Sequence, residues 1–380
     1  MFEPGSNDTP IPQTDPRAGY LVQRAEIDAA IQRVLGSGQY ILGPEAEAFE
    51  RDFAEWLGIG HGIGTGSGTD AIELALRACG IGRGDLVFTV SHTAVATVAA
   101  IERAGAVPVL VDIEPGGFTM DPSALEAALR QLPQGRPAAV LPVHLYGEPV
   151  DLAAVMELAR GHGLRVIEDC AQSHGALYRG RPAGTFGDFA CFSFYPTKNL
   201  GALGDAGMVV TGDAILAAKA REIREYGWRD RYISAVPGIN TRLDPIQAAI
   251  LRVKLPRLRA DNARRQAIAL RYDEVLTELP IELPRRHAER THVFHQYVVR
   301  APVRDRLREH LRAVRIGTGV HYPAPVHLQP AYRKIAVSPS GLTETERCGG
   351  EILSLPMYPQ LENAAIERVA AAMREYFSSH

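Results

Sequence analysis

Short apolar runs alternate with amphipathic segments through the first half of the chain. The apolar runs predict buried strands at residues 86–90, 107–111, 138–141, 164–167 and 189–194. The amphipathic segments between them predict helices at residues 93–103, 122–131 and 152–162. Strands that alternate with helices in this way form a mainly parallel sheet with helices on both faces. We therefore expect an α/β fold.

The chain is long enough for more than one domain, with 380 residues. Residues 1–19 carry four prolines among polar residues and predict an extended arm. The alternating pattern ends with a predicted helix near residue 255, and a long arginine-rich helix then leads into a second region. We expect a large domain over residues 20–255 and a smaller α+β domain over residues 256–380.

Composition excludes some classes of function. The chain is 46% hydrophobic and 22% charged, and no apolar run approaches the ~20 residues of a membrane helix. Its first residues lack the basic and apolar regions of a secretory signal, so a cytoplasmic location is expected. A net charge of −3 gives no reason to expect nucleic acid. The 4 cysteines are scattered, which favours neither a disulfide framework nor a metal site.

An acidic pair and an isolated lysine follow two of the predicted strands. Glu168 and Asp169 end one strand, at the edge where open α/β sheets place their ligands. Because side chains alternate along a strand, Glu168 should face away from Asp169. Lys198 is the only lysine before Gly201 and follows the strand at 189–194. A lysine and a carboxylate placed in this way suit pyridoxal phosphate.

A glycine-rich turn, Gly-Thr-Gly-Ser-Gly-Thr-Asp-Ala, opens a predicted helix that ends at Gly80. Backbone N–H groups at a helix N-terminus suit a phosphate, and Gly68 and Thr69 are the candidate contacts. Asp70 would repel a phosphate, so we expect its side chain to point away. Considered by itself, the loop sequence is also compatible with a plain tight turn before a capped helix.

From about Tyr20 onward, the chain resembles the PLP-dependent nucleotide-sugar aminotransferases of fold type I, the DegT/StrS group. The segments E-D-C-A-Q, F-S-F-Y-P-T-K-N-L-G and S-G-T-D-A carry the resemblance. It implies that Lys198 binds the cofactor covalently and moves a proton, that Asp169 pairs with the ring nitrogen, and that S-G-T-D-A holds the phosphate. Related sugar dehydratases have histidine at the position of Lys198, so the lysine favours transamination.

The resemblance implies further site residues. Gln172 would lie near the ring, and Ser193 would help to bind the phosphate. Asn240 and Arg242, in G-I-N-T-R, would enter the site of the neighbouring subunit, which implies a homodimer with shared sites. The substrate-facing segment H-Y-P-A-P-V-H contains His321 and Tyr322, for which packing at a domain seam is the alternative.

One position departs from the family pattern. Ala94 stands where the family has an aromatic ring that stacks on the cofactor, and His92 lies two residues earlier. We expect His92 either to pack on the pyridine face or to be a surface histidine.

The expected reaction transfers an amino group from L-glutamate to a keto group of a nucleotide-linked deoxysugar. Similarity in H-Q-Y-V-V-R and L-S-L-P-M favours a dTDP-3-keto-6-deoxyhexose. One alternative is an aminotransferase for a keto-cyclitol of an aminoglycoside pathway. The other is a non-catalytic PLP-binding regulatory protein, against which the absence of a basic stripe or DNA-binding motif counts.

Overall fold

A mainly parallel sheet lies at the centre of the fold, in a computed structural model that describes residues 9–379. The seven strands, in spatial order, are β1 (His61–Thr65), β9 (Gly207–Thr211), β8 (Phe189–Ser193), β5 (Arg165–Asp169), β4 (Arg136–Val140), β2 (Asp85–Val90) and β3 (Val107–Val111). Only β9 runs against its neighbours β1 and β8, and the other pairs within this sheet are parallel. The predicted α/β architecture is therefore confirmed.

Helices cover both faces of this sheet. The helices over residues 16–254 are α1 (Pro16–Val22), α2 (Arg24–Ser37), α3 (Pro44–Leu57), α4 (Gly68–Ala78), α5 (Val95–Arg103), α6 (Pro122–Arg130), α7 (Leu152–Gly161), α8 (Ala214–Arg224) and α9 (Pro245–Lys254), of which α2 packs on α9. Phe189 and Cys191 of β8 pack with α4 to α8, whereas Ala190 and Phe192 pack with α3 and α9. The period-2 alternation of β8 thus supplies both hydrophobic cores. We call this part of the chain the large lobe.

A second core forms around an antiparallel strand pair near the C-terminus. Its elements are α10 (Leu258–Leu276), β13 (Tyr297–Arg300), α11 (Arg304–Ala313), α12 (Thr343–Glu351), β14 (Ile352–Leu355) and α13 (Asn363–Ser379). Tyr272 and Tyr297 stack inside this core with ring centroids 4.8 Å apart. This α+β unit, the small lobe, is the predicted smaller domain, although its boundary at residue 256 stays a prediction.

Five short strands account for the remaining β-structure of the described residues. They are β6 (Leu177–Tyr178), β7 (Arg181–Pro182), β10 (Trp228–Asp230), β11 (Ile233–Ser234) and β12 (Arg290–Thr291). β12 pairs with β6, so the chain leading into the small lobe is tied to the large lobe. β10 and β11 form a separate hairpin.

The predicted extended arm is wrong for its last residues. Pro16 begins α1, and the side chain of Asp15 caps that helix by accepting a hydrogen bond of 2.9 Å from Ala18 N. Proline is well tolerated at a first helical position, so the prolines here did not exclude a helix. Ile11 pairs with Ile316 of the small lobe. Residues 1–8 of the predicted arm lie outside the described residues.

Two predicted strands of the small lobe also need correction. The strand expected over residues 292–300 begins only at Tyr297, because Phe294 has a positive φ of 45° and its N–H is bound by His292 Nδ1. The strand expected to end at residues 320–323 is reduced to a single bridge between Gly319 and Ser354.

Within residues 9–379, no helix combines the length and the apolar character that crossing a membrane requires.

Candidate active site

Lys198 and Asp169 lie at the carboxyl edge of the sheet, close enough for their charges to interact. Asp169 is the last residue of β5, and Lys198 lies in the turn after β8, the neighbouring parallel strand. Burial lowers the pKa of Lys198 to about 8, and the carboxylate of Asp169 partly offsets that effect. With this pKa, about a tenth of the lysine is neutral at pH 7, far more than for an ordinary lysine, which makes it a better nucleophile and base.

Asp169 is held by donors that favour its ionised form. Thr97 Oγ1 donates to Asp169 Oδ2 over 2.9 Å, and Ala171 N donates to Oδ1 over 3.1 Å. Burial raises the pKa of Asp169, while these two bonds and the charge of Lys198 act in the opposite direction. The carboxylate is therefore fixed in place, and its charge interacts with that of Lys198. Thr97 was missed by sequence reasoning because nothing in a predicted helix marks one threonine as a partner of a distant strand.

Glu168 faces away from Asp169, as strand alternation predicted. Its oxygens accept hydrogen bonds from Gly184 N, Phe186 N and Gly187 N at 2.8–2.9 Å. His144 Nδ1 accepts from Val150 N, so its Nε2–H is free to donate to Glu168 Oε2 over 3.1 Å. Although His144, Glu168 and Cys170 cluster closely, the carboxylate is already saturated with donors. This group is a buried structural anchor, and the expectation of no metal stays a prediction.

Gly68 and Ser193 meet where the phosphate of a cofactor is expected. Ser67 Oγ caps α4 by accepting from Asp70 N at 3.1 Å, which leaves the N–H groups at Gly68 and Thr69 at the positive end of the helix. A Cβ at residue 68 would lie 2.7 Å from the Cβ of Ser193, so only glycine fits between the turn and β8. The two sequence segments therefore form one backbone cradle.

Asp70 points away from this cradle, as expected. Its Oδ2 accepts a hydrogen bond from Thr241 Oγ1 over 3.0 Å, and its Oδ1 pairs with Arg103 at 3.0 Å. Thr241 Oγ1 also accepts from Gly66 N over 2.7 Å. The segment that carries Asn240 and Arg242 is thereby fastened to the glycine-rich turn.

Gln172, His321 and Tyr322 also gather around the lysine and the carboxylate. Gln172 Nε2 donates to Tyr322 Oη over 3.4 Å. Burial lowers the pKa of His321 to about 4, with a further contribution from Lys198. Burial raises the pKa of Tyr322 to about 12, with a further contribution from Asp169. These two residues of the small lobe thus sense the charges of the site, and they also lie at the seam between the lobes.

Two other histidines near Lys198 were missed by sequence reasoning. Burial lowers the pKa of His174 to about 3 and holds the pKa of His295 well below its usual range, and in both cases the charge of Lys198 adds to the effect. Both imidazoles are therefore neutral at pH 7. Their neutrality keeps added positive charge away from the lysine.

His92 is buried, so its interpretation as a surface histidine is wrong. It is 2% exposed, and burial lowers its pKa to about 4. Its Nε2 lies 2.9 Å from Tyr146 Oη, and its ring packs against Phe118 at a centroid distance of 6.1 Å. The observed contacts of His92 are with protein side chains, and packing on a pyridine face stays a prediction. Ala94 is the half-buried N-cap of α5.

The structure does not bring Asn240 and Arg242 into contact with Lys198 or Asp169. The side chain of Asn240 is exposed, and its backbone pairs with Glu225. Arg242 lines an open surface groove together with Trp228 and Tyr232. Their predicted action on a neighbouring subunit stays a prediction.

The residues present fit pyridoxal phosphate. The amine of Lys198 is the nucleophile such a cofactor requires, and Asp169 offers a buried carboxylate for a ring nitrogen. The start of α4 at Gly68 and Thr69 presents backbone N–H groups that suit a phosphate, and Gly68 packs directly against Ser193. These groups come from β5, the turn after β8 and the start of α4, which converge at one edge of the sheet.

Comparisons with known proteins agree with this geometry. Residues 22–374 match the DegT/DnrJ/EryC1/StrS aminotransferase family. The dTDP-3-amino-3,4,6-trideoxy-alpha-D-glucose transaminase of Streptomyces venezuelae is 48% identical, with 96% of each chain covered. The erythromycin biosynthesis sensory transduction protein EryC1 of Saccharopolyspora erythraea is 47% identical, with 96% of this chain and 99% of that protein covered.

A solved structure shares the fold closely. The crystal structure of S. venezuelae DesV in complex with a ketimine intermediate superposes with a TM-score of 0.92 at 48% identity. The match covers 97% of this chain and 98% of that chain. The chain therefore belongs to the DegT/DnrJ/EryC1/StrS aminotransferase family and is a sugar transaminase whose cofactor is pyridoxal phosphate.

Proposed function

We propose that this enzyme moves an amino group from L-glutamate to the keto group of a dTDP-linked 3-keto-6-deoxyhexose, as a cytoplasmic homodimer. The observation that carries the chemistry is the pairing of Lys198 with the buried carboxylate of Asp169, beside the cradle at Gly68 and Ser193. The choice of sugar is supported by a 48% identical relative that is named for a dTDP-3-amino-trideoxyglucose.

The residues of the site divide the work of transamination. Bound pyridoxal phosphate supplies an electron sink that makes a substrate C–H bond acidic. Lys198 Nζ would accept that proton and deliver it to the cofactor carbon on the other side of the transferred nitrogen, a role that its lowered pKa of about 8 favours. Asp169, fixed by Thr97, would hold the cofactor's ring nitrogen in its protonated form. Gly68, Thr69 and Ser193 would hold the phosphate, and Gln172 would contact the ring.

Exposed apolar side chains beside Asn240 and Arg242 support the homodimer. Tyr232 is 70% exposed and Ile233 is 65% exposed, both in the loop and strand of the β10–β11 hairpin. The groove that contains Arg242 also includes Ile41, which is 52% exposed. Exposed apolar surface of this kind is typical of a protein–protein interface. A second copy of the chain that covers it would bring Asn240 and Arg242 to its own site.

A complementation experiment tests the shared site. Lys198→Ala and Asn240→Ala each damage a different half of the same composite site. Mixing the two variants gives hybrid dimers in which one site of two is intact, so roughly a quarter of wild-type activity should return. Either variant alone should stay at its low starting activity. If mixing restores nothing while subunits exchange, Asn240 does not act across subunits.

Substrate choice is tested with a matched pair of acceptors. A dTDP-linked 3-keto-6-deoxyhexose and a keto-inositol are offered separately with L-glutamate, and the amino product is measured by mass spectrometry. The proposal expects turnover of the nucleotide sugar. Turnover of the keto-inositol alone would support the aminoglycoside alternative instead.

A regulatory role remains the alternative of another class, because one relative at 47% identity is named a sensory transduction protein. The amino-donor half-reaction separates the two. An enzyme converts its bound cofactor to the amine form when L-glutamate is added. A regulatory protein that only binds the cofactor leaves the spectrum unchanged.

A further inference from the structure

Tyr146 has a strained backbone at the seam between the two lobes. Its φ is +58°, which is uncommon for a residue other than glycine and is an outlier for a bulky one. The adjacent backbone is bound to the small lobe, since Val293 N donates to Gly147 O over 2.9 Å and Gln296 N donates to Tyr146 O over 3.3 Å. Glycine would relieve the strain at this position. Contacts of the tyrosine side chain must therefore offset the backbone strain.

The backbone and the hydroxyl group of Tyr146 each connect to the His321–Tyr322 segment of the small lobe. Its backbone N–H donates to Gln172 Oε1 over 2.7 Å, and the amide of Gln172 then reaches Tyr322 Oη. Its phenol hydroxyl donates to the carbonyl oxygen of His321. One residue of the large lobe thus anchors His321 directly and Tyr322 through a single amide.

His92 completes this arrangement from the other side of the phenol. Because the Tyr146 proton points at a carbonyl oxygen that only accepts, the contact of 2.9 Å between His92 Nε2 and Tyr146 Oη requires His92 to donate. The Nε2–H tautomer of neutral His92 meets that requirement, and its low pKa keeps it neutral at pH 7. Cys348 Sγ of the small lobe lies 3.7 Å from the same nitrogen.

We propose that Tyr146 is a positioning residue that, together with His92 as its fixed donor, holds the His321–Tyr322 segment against the Lys198–Asp169 pair. Tyr322 of that segment accepts a hydrogen bond from Gln172, and the charges of Lys198 and Asp169 act on His321 and Tyr322, which places the segment at the edge of the site. This role requires the segment to be ordered without substrate or cofactor, because the hydrogen bonds that hold it are all between protein atoms. The kinetic part of the test below rests on the proposed function, whereas the exchange part does not.

Hydrogen exchange of residues 319–326, measured by mass spectrometry, tests the order of the segment. Tyr146→Phe keeps the ring and removes only the hydroxyl, and we expect exchange in this segment to accelerate about tenfold. Tyr178→Phe is the matched control, since it removes a hydroxyl that donates to Asp151 over 2.7 Å elsewhere in the large lobe. The control should leave residues 319–326 unchanged. Unchanged exchange in Tyr146→Phe overturns the proposal.

The second arm tests the coupling of His92 to Tyr146. His92→Leu removes the donor and should accelerate exchange of the segment, whereas His92→Gln retains an N–H donor and should restore most of the protection. In a Tyr146→Phe background, His92→Leu should add little, because its partner hydroxyl is already gone. Fully additive effects of the two substitutions would contradict a shared positioning role.

The holoenzyme gives the kinetic readout. Tyr146→Phe should raise the KM for the keto-sugar about tenfold and lower kcat less, since the segment remains able to adopt its position. A fall in kcat with an unchanged KM would contradict positioning of the substrate-facing segment. If the wild-type enzyme turned over no sugar while the exchange pattern held, the proposed substrate would be wrong and the positioning role would still be supported.

Discussion

Raising the pH should accelerate the covalent capture of pyridoxal phosphate by cofactor-free enzyme, with a midpoint near pH 8. Burial lowers the pKa of Lys198 to about 8, and only the neutral amine is a nucleophile. An amine with this pKa is roughly 10% neutral at pH 7 and roughly 90% neutral at pH 9. The capture rate should therefore rise about tenfold between these two pH values. An ordinary lysine would have on the order of 300-fold less neutral amine at pH 7.

Stopped-flow absorbance of the bound cofactor measures this rate. Lys198→Ala should abolish the signal if the reacting amine is that of Lys198. Lys254 needs a separate control, because burial lowers its pKa to about 8 as well. Its Nζ donates to Gly201 O over 2.6 Å, and Lys254→Gln retains a donor there. This variant should keep both the signal and the midpoint.

Asp169→Asn tests the cause of the Lys198 pKa. The carboxylate of Asp169 raises the pKa of Lys198 against the effect of burial, so its removal should move the midpoint below pH 8. The asparagine keeps the size of the side chain, and its amide oxygen still accepts from Thr97. A wild-type midpoint near pH 10, or an upward movement in Asp169→Asn, would refute the electrostatic reasoning.

Three further substitutions have defined outcomes. Thr97→Val removes one donor to Asp169 and should weaken cofactor binding about tenfold, measured by fluorescence titration. Gly68→Ala should weaken it at least as much, because the new Cβ would lie 2.7 Å from Ser193 Cβ, whereas Gly36→Ala in α2 meets no atom within 4 Å and should leave binding unchanged. Glu168→Gln should lower the free energy of unfolding by about 2–3 kcal/mol in denaturant titrations, because three backbone N–H groups lose a charged acceptor. Equal affinity in Thr97→Val, equal effects of the two glycine substitutions, or an unchanged Glu168→Gln stability would each contradict the assigned contact.

The central pair was predictable because its information is local. Asp169 ends an apolar run and Lys198 follows the next strand of the sheet, so sheet topology alone brings them to one edge. The glycine-rich turn was predictable for the same reason, since it opens a helix. Strand alternation was sufficient to send Glu168 to the opposite face.

Side-chain pairs formed across the fold were not predictable. Thr97 reaches Asp169 from a different element, and Tyr146 meets His92 and His321 only because two lobes pack at one seam. No spacing in the sequence encodes such contacts. The helix at Pro16 was not predicted although Asp15 and Pro16 form a local start signal, because four prolines among polar residues are also typical of an extended segment.

The half-reaction with L-glutamate tests the central claim most directly. Purified enzyme loaded with pyridoxal phosphate is mixed with L-glutamate alone, and its visible spectrum is followed before a dTDP-linked 3-keto-6-deoxyhexose is added. The account predicts that glutamate converts the cofactor to its amine form, that the keto-sugar restores the original spectrum, and that Lys198→Ala does neither. A wild-type spectrum that glutamate leaves unchanged would contradict it.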